Sequence, residues 1–511
     1  MPPNRRRPFK SRWTALLVAV GLFALVQLCR SHKLDHDMFH GMSLAEVLLD
    51  EGQLPSTDRW SYVETLGVIV HHEWVLGVVL HGLHSAAGEI GIGLLQLLIA
   101  VGVVYACWRS SAVRRAAPVC FAVISPFVIP MIWASSNAVR AQTITLWFTA
   151  MTWYLVGLDR RGNRKWALAF LPFMVLWQNV HGGFVVGWIV LSMYVAERTL
   201  NDVLRRIPIA QIASAHRHLY GLMLLALPAT CMNPYGYGYI SYLWHALRMP
   251  RPMITEWMPL WYSPNQSAAL IALWTAGVLL VAVVARHGLA RWSELLFLVL
   301  AAGMSLLHMR HMSLFGIGIL ALVPAMATKV KFFKGIAVDA RKHAGLVHRV
   351  SLAASLGFVV LLVCMRCWQP PKSQYIPERL ANYMEAHDLS GRVFTPFESG
   401  AYLAWHSSPE LTVSLDGRYE VAYPVKQANR RIACFLAAPG WQETLREDAA
   451  DWLVVPRDSA LAVALAKSHY MQGLWSPMYE DDCFVLCQRA LDRPAPDLAT
   501  SHVSSSPFGS N

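Results

Sequence analysis

Between residues 13 and 367 the chain alternates long apolar runs with short clusters of Arg and Lys. This alternation limits the possible folds more than any single motif does. Lipid offers an open backbone no hydrogen-bond partners, so repeated runs of this length are expected to cross a bilayer as helices. Composition agrees, with 55% hydrophobic and 15% charged residues and a mean hydropathy of +0.36. A net charge of +12 could suggest nucleic acid. The excess sits between apolar segments, as cytoplasmic loops require, so no nucleic-acid partner is expected.

Arg5, Arg6, Arg7, Lys10 and Arg12 precede the first run, 13–29, and no small-residue cleavage site follows. This reads as a retained anchor with a cytoplasmic N-terminus. Keeping every later basic cluster inside requires spans near 90–108, 117–134, 142–158, 166–179, 183–198, 219–232, 266–285, 293–308, 312–328 and 350–367. The expected architecture is a polytopic α-helical protein of the cytoplasmic membrane with about eleven transmembrane helices. A membrane domain, 1–367, includes an outer loop at 31–89. A soluble extracytoplasmic α/β domain follows at 368–491, hinged at Pro370-Pro371, and a Ser-rich, disordered tail occupies 492–511.

Residues 68–87 are apolar enough to cross, but a crossing there would invert every later cluster. They read as an interfacial helix on the outer leaflet, because His71, His72, Glu73, His81 and His84 are too polar for lipid; a true span is the alternative. In the tail, 391–394, 411–415 and 451–455 read as strands. Cys434, Cys483 and Cys487 lie there, where an oxidising compartment could form one disulfide of undetermined pairing.

The outer loop carries Asp35, His36, Asp37 and His40, followed by Ser43-Leu44-Ala45-Glu46, a capping-box pattern for a short helix ending at Gly52. Asp37 and His40 would then precede a helix N-terminus, a setting that favours phosphate, or form part of a solvated loop. Leu54-Pro55-Ser56-Thr57-Asp58-Arg59-Trp60-Ser61-Tyr62 and His72-Glu73-Trp74 come next.

This order of an acidic residue, a short surface helix, a G-x-x-P-x-x-D-x-x-S-Y stretch and H-E-W resembles the first outer loop of the GT-C superfamily of glycosyltransferases. The nearest group is the bacterial members related to protein mannosyltransferases and lipid A aminoarabinose transferases. Ser136-Asn137-Ala138-Val139-Arg140-Ala141-Gln142 is similar to the family's outer R-x-Q turn, and Trp177-Gln178-Asn179-Val180-His181-Gly182-Gly183 to its W-x-N-x-H-G motif. Asn233-Pro234-Tyr235-Gly236 with Ile254-Thr255-Glu256-Trp257 resembles its lateral loop, and Arg310-His311 falls at another outer turn.

The resemblance implies an enzyme that moves a sugar, with inversion, from a polyprenyl-phosphate-linked donor to a lipid, glycan or protein acceptor. Such a reaction needs a carboxylate base for the acceptor and cations for the departing phosphate. Asp37 is the expected base, and Asp58 would orient it or bind the sugar. Arg140, His181, Arg310 and His311 are expected at the donor phosphate, where Arg offers bidentate contacts. His40, His72, Glu73, Asn179 and Glu256 are further substrate-binding candidates. The partners implied are the lipid-linked sugar, membrane lipid and an unspecified acceptor.

Plainer readings compete. Arg140 suits a snorkelling anchor, His181 a helix-breaking turn, and Glu256-Trp257 an aromatic belt. Arg310, flanked by His308 and His311 between apolar runs, needs a partner or water. Asp416-Gly417-Arg418 resembles a group in the tails of related bacterial proteins and reads more simply as a tight turn with an Asp/Arg pair. His32, His36 and His40 are four apart, which permits a divalent metal, although no resident metal or other cofactor is expected. No Walker loop, dinucleotide fingerprint or nucleophile elbow occurs. The alternative from another class is a non-catalytic protein that binds, assembles or transports a lipid-linked glycan.

Overall fold

The computed structural model describes residues 36–67, 69–133, 139–249, 251, 254–262, 267–287, 291–368 and 376–490. The anchor at 13–29, His32, Asp35, residues 136–138, the Pro370-Pro371 hinge and 492–511 lie outside them. The chain forms two compact units. One holds described residues within 86–241 and 250–372, and the other those within 34–85, 242–249 and 373–511.

The first unit is helical. Pro118–Trp133, Ala141–Asp159, Trp166–Val180, Val185–Leu204, Arg217–Thr230, Ser267–Arg286, Trp292–Leu307, Met312–Ala327 and Ala344–Trp368 follow the expected spans within a few residues at most ends. The span expected near 90–108 lies within Trp74–Val113. Four helices are long and apolar enough to cross a membrane, at Trp74–Val113, Gly182–Leu204, Ala268–Arg286 and Met309–Ala327. Pro118–Ile132, Trp166–Val180 and Trp292–Leu307 are shorter apolar helices. The figure of about eleven crossings is thus not reproduced by length and composition alone.

Met312–Ala327 is apolar all round and buried nearly throughout, which makes it the core helix of its bundle. It packs against Pro118–Trp133, Ala141–Asp159, Ser267–Arg286 and Trp292–Leu307. Leu224, Leu227, Leu279 and Leu300, on other helices, point outward, the arrangement suited to hydrocarbon surroundings.

The expected basic clusters meet at one end of this bundle. Arg114 Nε donates to Glu294 at 3.0 Å, Arg160 Nη1 to Glu197 at 2.5 Å, and Asp159 pairs with His218 at 2.7 Å. Arg140 and Asp159 flank opposite ends of the 19-residue helix Ala141–Asp159. At 1.5 Å per residue its ends are about 28 Å apart. Within this unit Arg140 therefore lies at the end opposite Arg114 and Arg160.

The second unit contains a five-stranded sheet. β1 (Gly391–Phe394), β2 (Leu411–Val413), β3 (Trp452–Pro456), β4 (Trp475–Glu480) and β5 (Phe484–Arg489) lie in the order β2-β1-β3-β5-β4. The β1 pairings with β2 and β3 are parallel, and β5 is antiparallel to both neighbours. Phe394, Leu453, Val455, Trp475, Val485 and Cys487 fill one core. The expected disulfide is corrected: Cys434, Cys483 and Cys487 are free. Burial pushes the thiols of Cys434 and Cys487 up to about 12, so both act as small apolar core residues.

Residues 34–85 group with this tail. The cause is long-range pairing. Val413 N–H donates to Trp60 O at 2.8 Å, Tyr62 N–H to Val413 O at 3.3 Å, and Leu66 N–H to Ala422 O at 2.8 Å. The loop thereby adds a short parallel bridge to β2 at Ser61.

Two helices carry the loop. The first, Asp37–Glu51, ends at Gly52 as expected but begins six residues before Ser43. The capping-box reading is corrected because Ser43 is interior, its hydroxyl donating to Phe39 O at 3.1 Å. The apolar stripe of Met38, Phe39, Met42 and Ala45 decides the start by packing against the tail, where Phe39 meets Tyr402 at 4.8 Å. The second helix begins at Trp74 and breaks at Gly88 (φ 57°, ψ −144°), before the segment expected to cross. His71, His72 and Glu73 precede it rather than lying within it. A Cβ at Gly77 would lie 2.3 Å from Gly41 O, so glycine at both positions lets the two helices touch.

Candidate functional site

The expected site residues fall into two groups, one in each unit. In the helical unit, Arg140 immediately precedes Ala141–Asp159, His181 follows Trp166–Val180, and Arg310-His311 form the turn between Trp292–Leu307 and Met312–Ala327. Side chains link these helix ends. Arg140 Nη1 donates to Glu256 Oε1 at 2.5 Å, and Arg310 Nη2 donates to Gln142 Oε1 at 3.2 Å. The Arg310 guanidinium lies 4.4 Å from the Trp257 ring centre, and Arg251 lies 4.3 Å from the same ring. Trp257 O meets His308 Nδ1 at 2.7 Å, and the His311 ring packs at 6.1 Å from Trp257. Arg310 thus has the partners its place between apolar runs demanded.

His181 is fixed in orientation and tautomer. Gly183 N–H donates to its Nδ1 at 2.9 Å, so Nδ1 is the acceptor and the neutral ring carries its proton on Nε2. Thr145 Oγ1 lies 2.8 Å from the same nitrogen and accepts from Trp177 Nε1 at 2.9 Å. Asn179 holds the neighbouring loop, donating to Met232 O at 3.0 Å. The R-x-Q resemblance includes Gln142 but assigns it no role, and Thr145 carries no sequence signal beyond its place in the first turns after Arg140.

In the second unit, Asp37 occupies the first turn of Asp37–Glu51, with His36 Nε2 3.3 Å from its carboxylate. Its side chain is 45% exposed, whereas that of Asp58 is 3% exposed. This contrast separates the two expected catalytic carboxylates. Asp58 is paired with Arg418 and accepts Ser61 N–H at 2.9 Å. Arg418 in turn donates from Nη2 to Asp416 Oδ2 at 2.6 Å and from Nε to Asp416 Oδ1 at 2.9 Å. Burial works against the Arg418 charge, but Asp416, Tyr423 and Asp58 outweigh it and hold the guanidinium well above its ordinary range. Asp58 thus sits in a closed ion triad, a position suited to orienting neighbours rather than to receiving a sugar. The tight-turn reading of Asp416-Gly417-Arg418 agrees with this geometry.

His40 also lies inside, its ring 5.0 Å from Trp60 and 5.6 Å from His71. It belongs to the helix rather than preceding it. His72 Nδ1 meets Tyr242 OH at 3.0 Å, and Glu73 lies 3.4 Å from His72 Nε2. Among the described residues, no group of three His, Cys, Asp or Glu side chains could hold a metal ion.

Burial, followed by the Arg418 charge, lowers His71 to about 3 and His40 well below its ordinary value. Both rings are neutral when folded. Unfolding exposes them to water, where they bind protons near pH 6.5, so the unfolded state holds more protons below that pH and stability falls on acidification. The second unit should melt at progressively lower temperature from pH 7 to pH 5.5, before most carboxylates titrate. Thermal unfolding across that range checks this, and His71→Phe should flatten the slope.

No protein-family model matches the chain, and no match is found among curated proteins. Solved structures do match. The oligosaccharyltransferase of Archaeoglobus fulgidus, tethered to an acceptor peptide containing the NVT sequon, aligns with a TM-score of 0.56 and 14% identity over 92% of this chain and 71% of that one. Arabinofuranosyltransferase AftD from Mycobacteria aligns at 0.51 and 14%, over 95% of this chain and 40% of AftD. A mutant AftD gives 0.52 and 14%, over 94% and 41%. This chain therefore spans about two fifths of AftD's length. At 14% identity these likenesses show a shared fold, that of an oligosaccharyltransferase and an arabinofuranosyltransferase.

Proposed function

We propose that the chain is an inverting glycosyltransferase that moves a sugar from a polyprenyl-phosphate-linked donor to a lipid, glycan or protein acceptor at the outer face of the cytoplasmic membrane. The observation that carries this reading is the gathering of Arg140, Arg310 and His181 at the bundle end opposite the basic clusters, within a fold shared with glycosyltransferases. That end receives the donor phosphate. Asp37 takes the proton from the acceptor hydroxyl or amine as the acceptor atom bonds to the sugar's anomeric carbon. The bond from that carbon to the phosphate oxygen breaks, and its electron pair leaves with the phosphate. Arg140 and Arg310 meet the growing negative charge, with Glu256 and Gln142 holding the two guanidinium groups in place. Asp58 orients the loop around Asp37 through Arg418, and His181 presents its Nε2 proton to the donor.

The test uses purified full-length protein in lipid nanodiscs, labelled polyprenyl-phosphate sugars and envelope extract as acceptor. Transfer of label supports the reading; donor binding without transfer, under conditions where a known GT-C enzyme works, favours the non-catalytic glycan-binding protein. Arg140→Lys should raise the donor Kd about tenfold, because an ammonium cannot reproduce a bidentate phosphate contact. Titrating labelled donor against both proteins measures it.

A further inference from the structure

The geometry points to Gly417, in the Asp416-Gly417-Arg418 turn of the tail, as a positioning residue that sets where the Asp37 carboxylate sits. This rests on the reading of Asp37 as the base.

A Cβ placed on Gly417 would lie 2.0 Å from Asp37 Oδ1 and 3.1 Å from His36 Cδ2. No side chain fits there unless Asp37 moves. The surroundings hold the backbone on both sides of this contact, so the Asp37 side chain is the group that must move. Arg418 N–H donates to Asp416 Oδ1 at 3.0 Å, and the Arg418 guanidinium ties the turn to Asp416 and Asp58. The same guanidinium lies 5.2 Å from the centre of the Trp60 ring, whose carbonyl accepts from β2. On the helix side, Phe39 and Met42 are buried, the Phe39 ring packs on Tyr402, and Glu46 accepts from Trp405 Nε1 at 3.0 Å. A fixed helix and a fixed turn therefore meet at Asp37 and Gly417, with backbone on one side and the carboxylate on the other. The tail is then part of the catalytic unit, and the buried triad keeps the turn seated behind the base.

A displacement of about 1 Å at a reacting group can cost on the order of 10²-fold in rate. Gly417→Ala should lower kcat about 10²-fold and leave the donor KM within about twofold, since donor contacts lie elsewhere. Gly391→Ala is the control. It strains the same unit, at φ +116° and with its Cβ 2.6 Å from Asp451 Oδ2, without touching Asp37. At a matched loss of melting temperature it should retain kcat.

The decisive comparison is the double substitution Asp37→Ala/Gly417→Ala. If Gly417 acts through Asp37, the double variant is no slower than Asp37→Ala and melts above Gly417→Ala, because the shortened side chain makes room for the methyl group. The melting comparison holds even if Gly417→Ala alone fails to accumulate, as the double variant should then be recovered. Full kcat in Gly417→Ala, rate losses that multiply, equal kcat loss in Gly391→Ala, or no stability rescue would each overturn the inference. Retained turnover in Asp37→Ala would instead sink the base assignment, while the stability rescue would still report on the contact.

Discussion

Asp37→Asn is expected to lower turnover by roughly 10²–10⁴-fold while leaving donor binding within about twofold of wild type. The substitution keeps the shape of the side chain and removes the proton acceptor. Because Asp37 is half-exposed and sits against Gly417, the amide should fit without disturbing the turn. Rapid-quench turnover and equilibrium donor binding on the same preparation check both halves of the claim. Asp58→Asn should behave differently, removing one of the two charges that pair with Arg418 and therefore losing stability along with activity. If Asp37→Asn turns over normally and Asp58→Asn loses turnover with its fold intact, the base has been assigned to the wrong carboxylate.

Arg418→Met should destabilise the second unit by about 3–5 kcal/mol, the usual cost of leaving buried charges without their partner. Asp58 and Asp416 both lose the guanidinium, and both are buried. An exposed ion pair such as Arg430–Glu447 is screened by water and should cost far less when broken, which makes Arg430→Met a useful comparison. Denaturant unfolding measures the difference. Neutralising both partners, as Asp58→Asn/Asp416→Asn/Arg418→Met, should recover part of the loss. A triad that is incidental would show no more loss in Arg418→Met than in Arg430→Met.

The helical unit was legible because apolar length and basic clusters are local signals. Ten expected spans correspond to observed helices, and the break at Gly88 falls between the segment read as interfacial and the next one. β1, β2 and β3 were visible as short apolar runs. β4 was not, since it contains Pro477 and is exposed along most of its length, as an edge strand can be. β5, Phe484–Arg489, was missed although its first four residues are buried. Ser43-x-x-Glu46 imitates a capping box, but the helical spacing of Met38, Phe39, Met42 and Ala45 sets the start of the helix. Glu46 does not reach back to a cap; it accepts from Trp405.

The site was legible as a set of residues but not as a constellation. Arg140 with Glu256, and Arg310 with Gln142, are pairings across more than a hundred residues that no local pattern encodes. The same holds for Asp58 with Arg418, where the tight-turn reading of Asp416-Gly417-Arg418 captured the local ion pair and missed its partner in the outer loop. Only the fold reveals that a Cβ at Gly417 would meet the Asp37 carboxylate.

The most direct measurement is of envelope glycans in cells lacking this chain, complemented with wild type or with Asp37→Asn. Mass spectrometry should show one sugar-bearing species disappearing and its lipid-linked precursor accumulating, with reversal by wild type alone. Restoration of that species by an Asp37→Asn protein expressed at wild-type level would contradict Asp37 as the base.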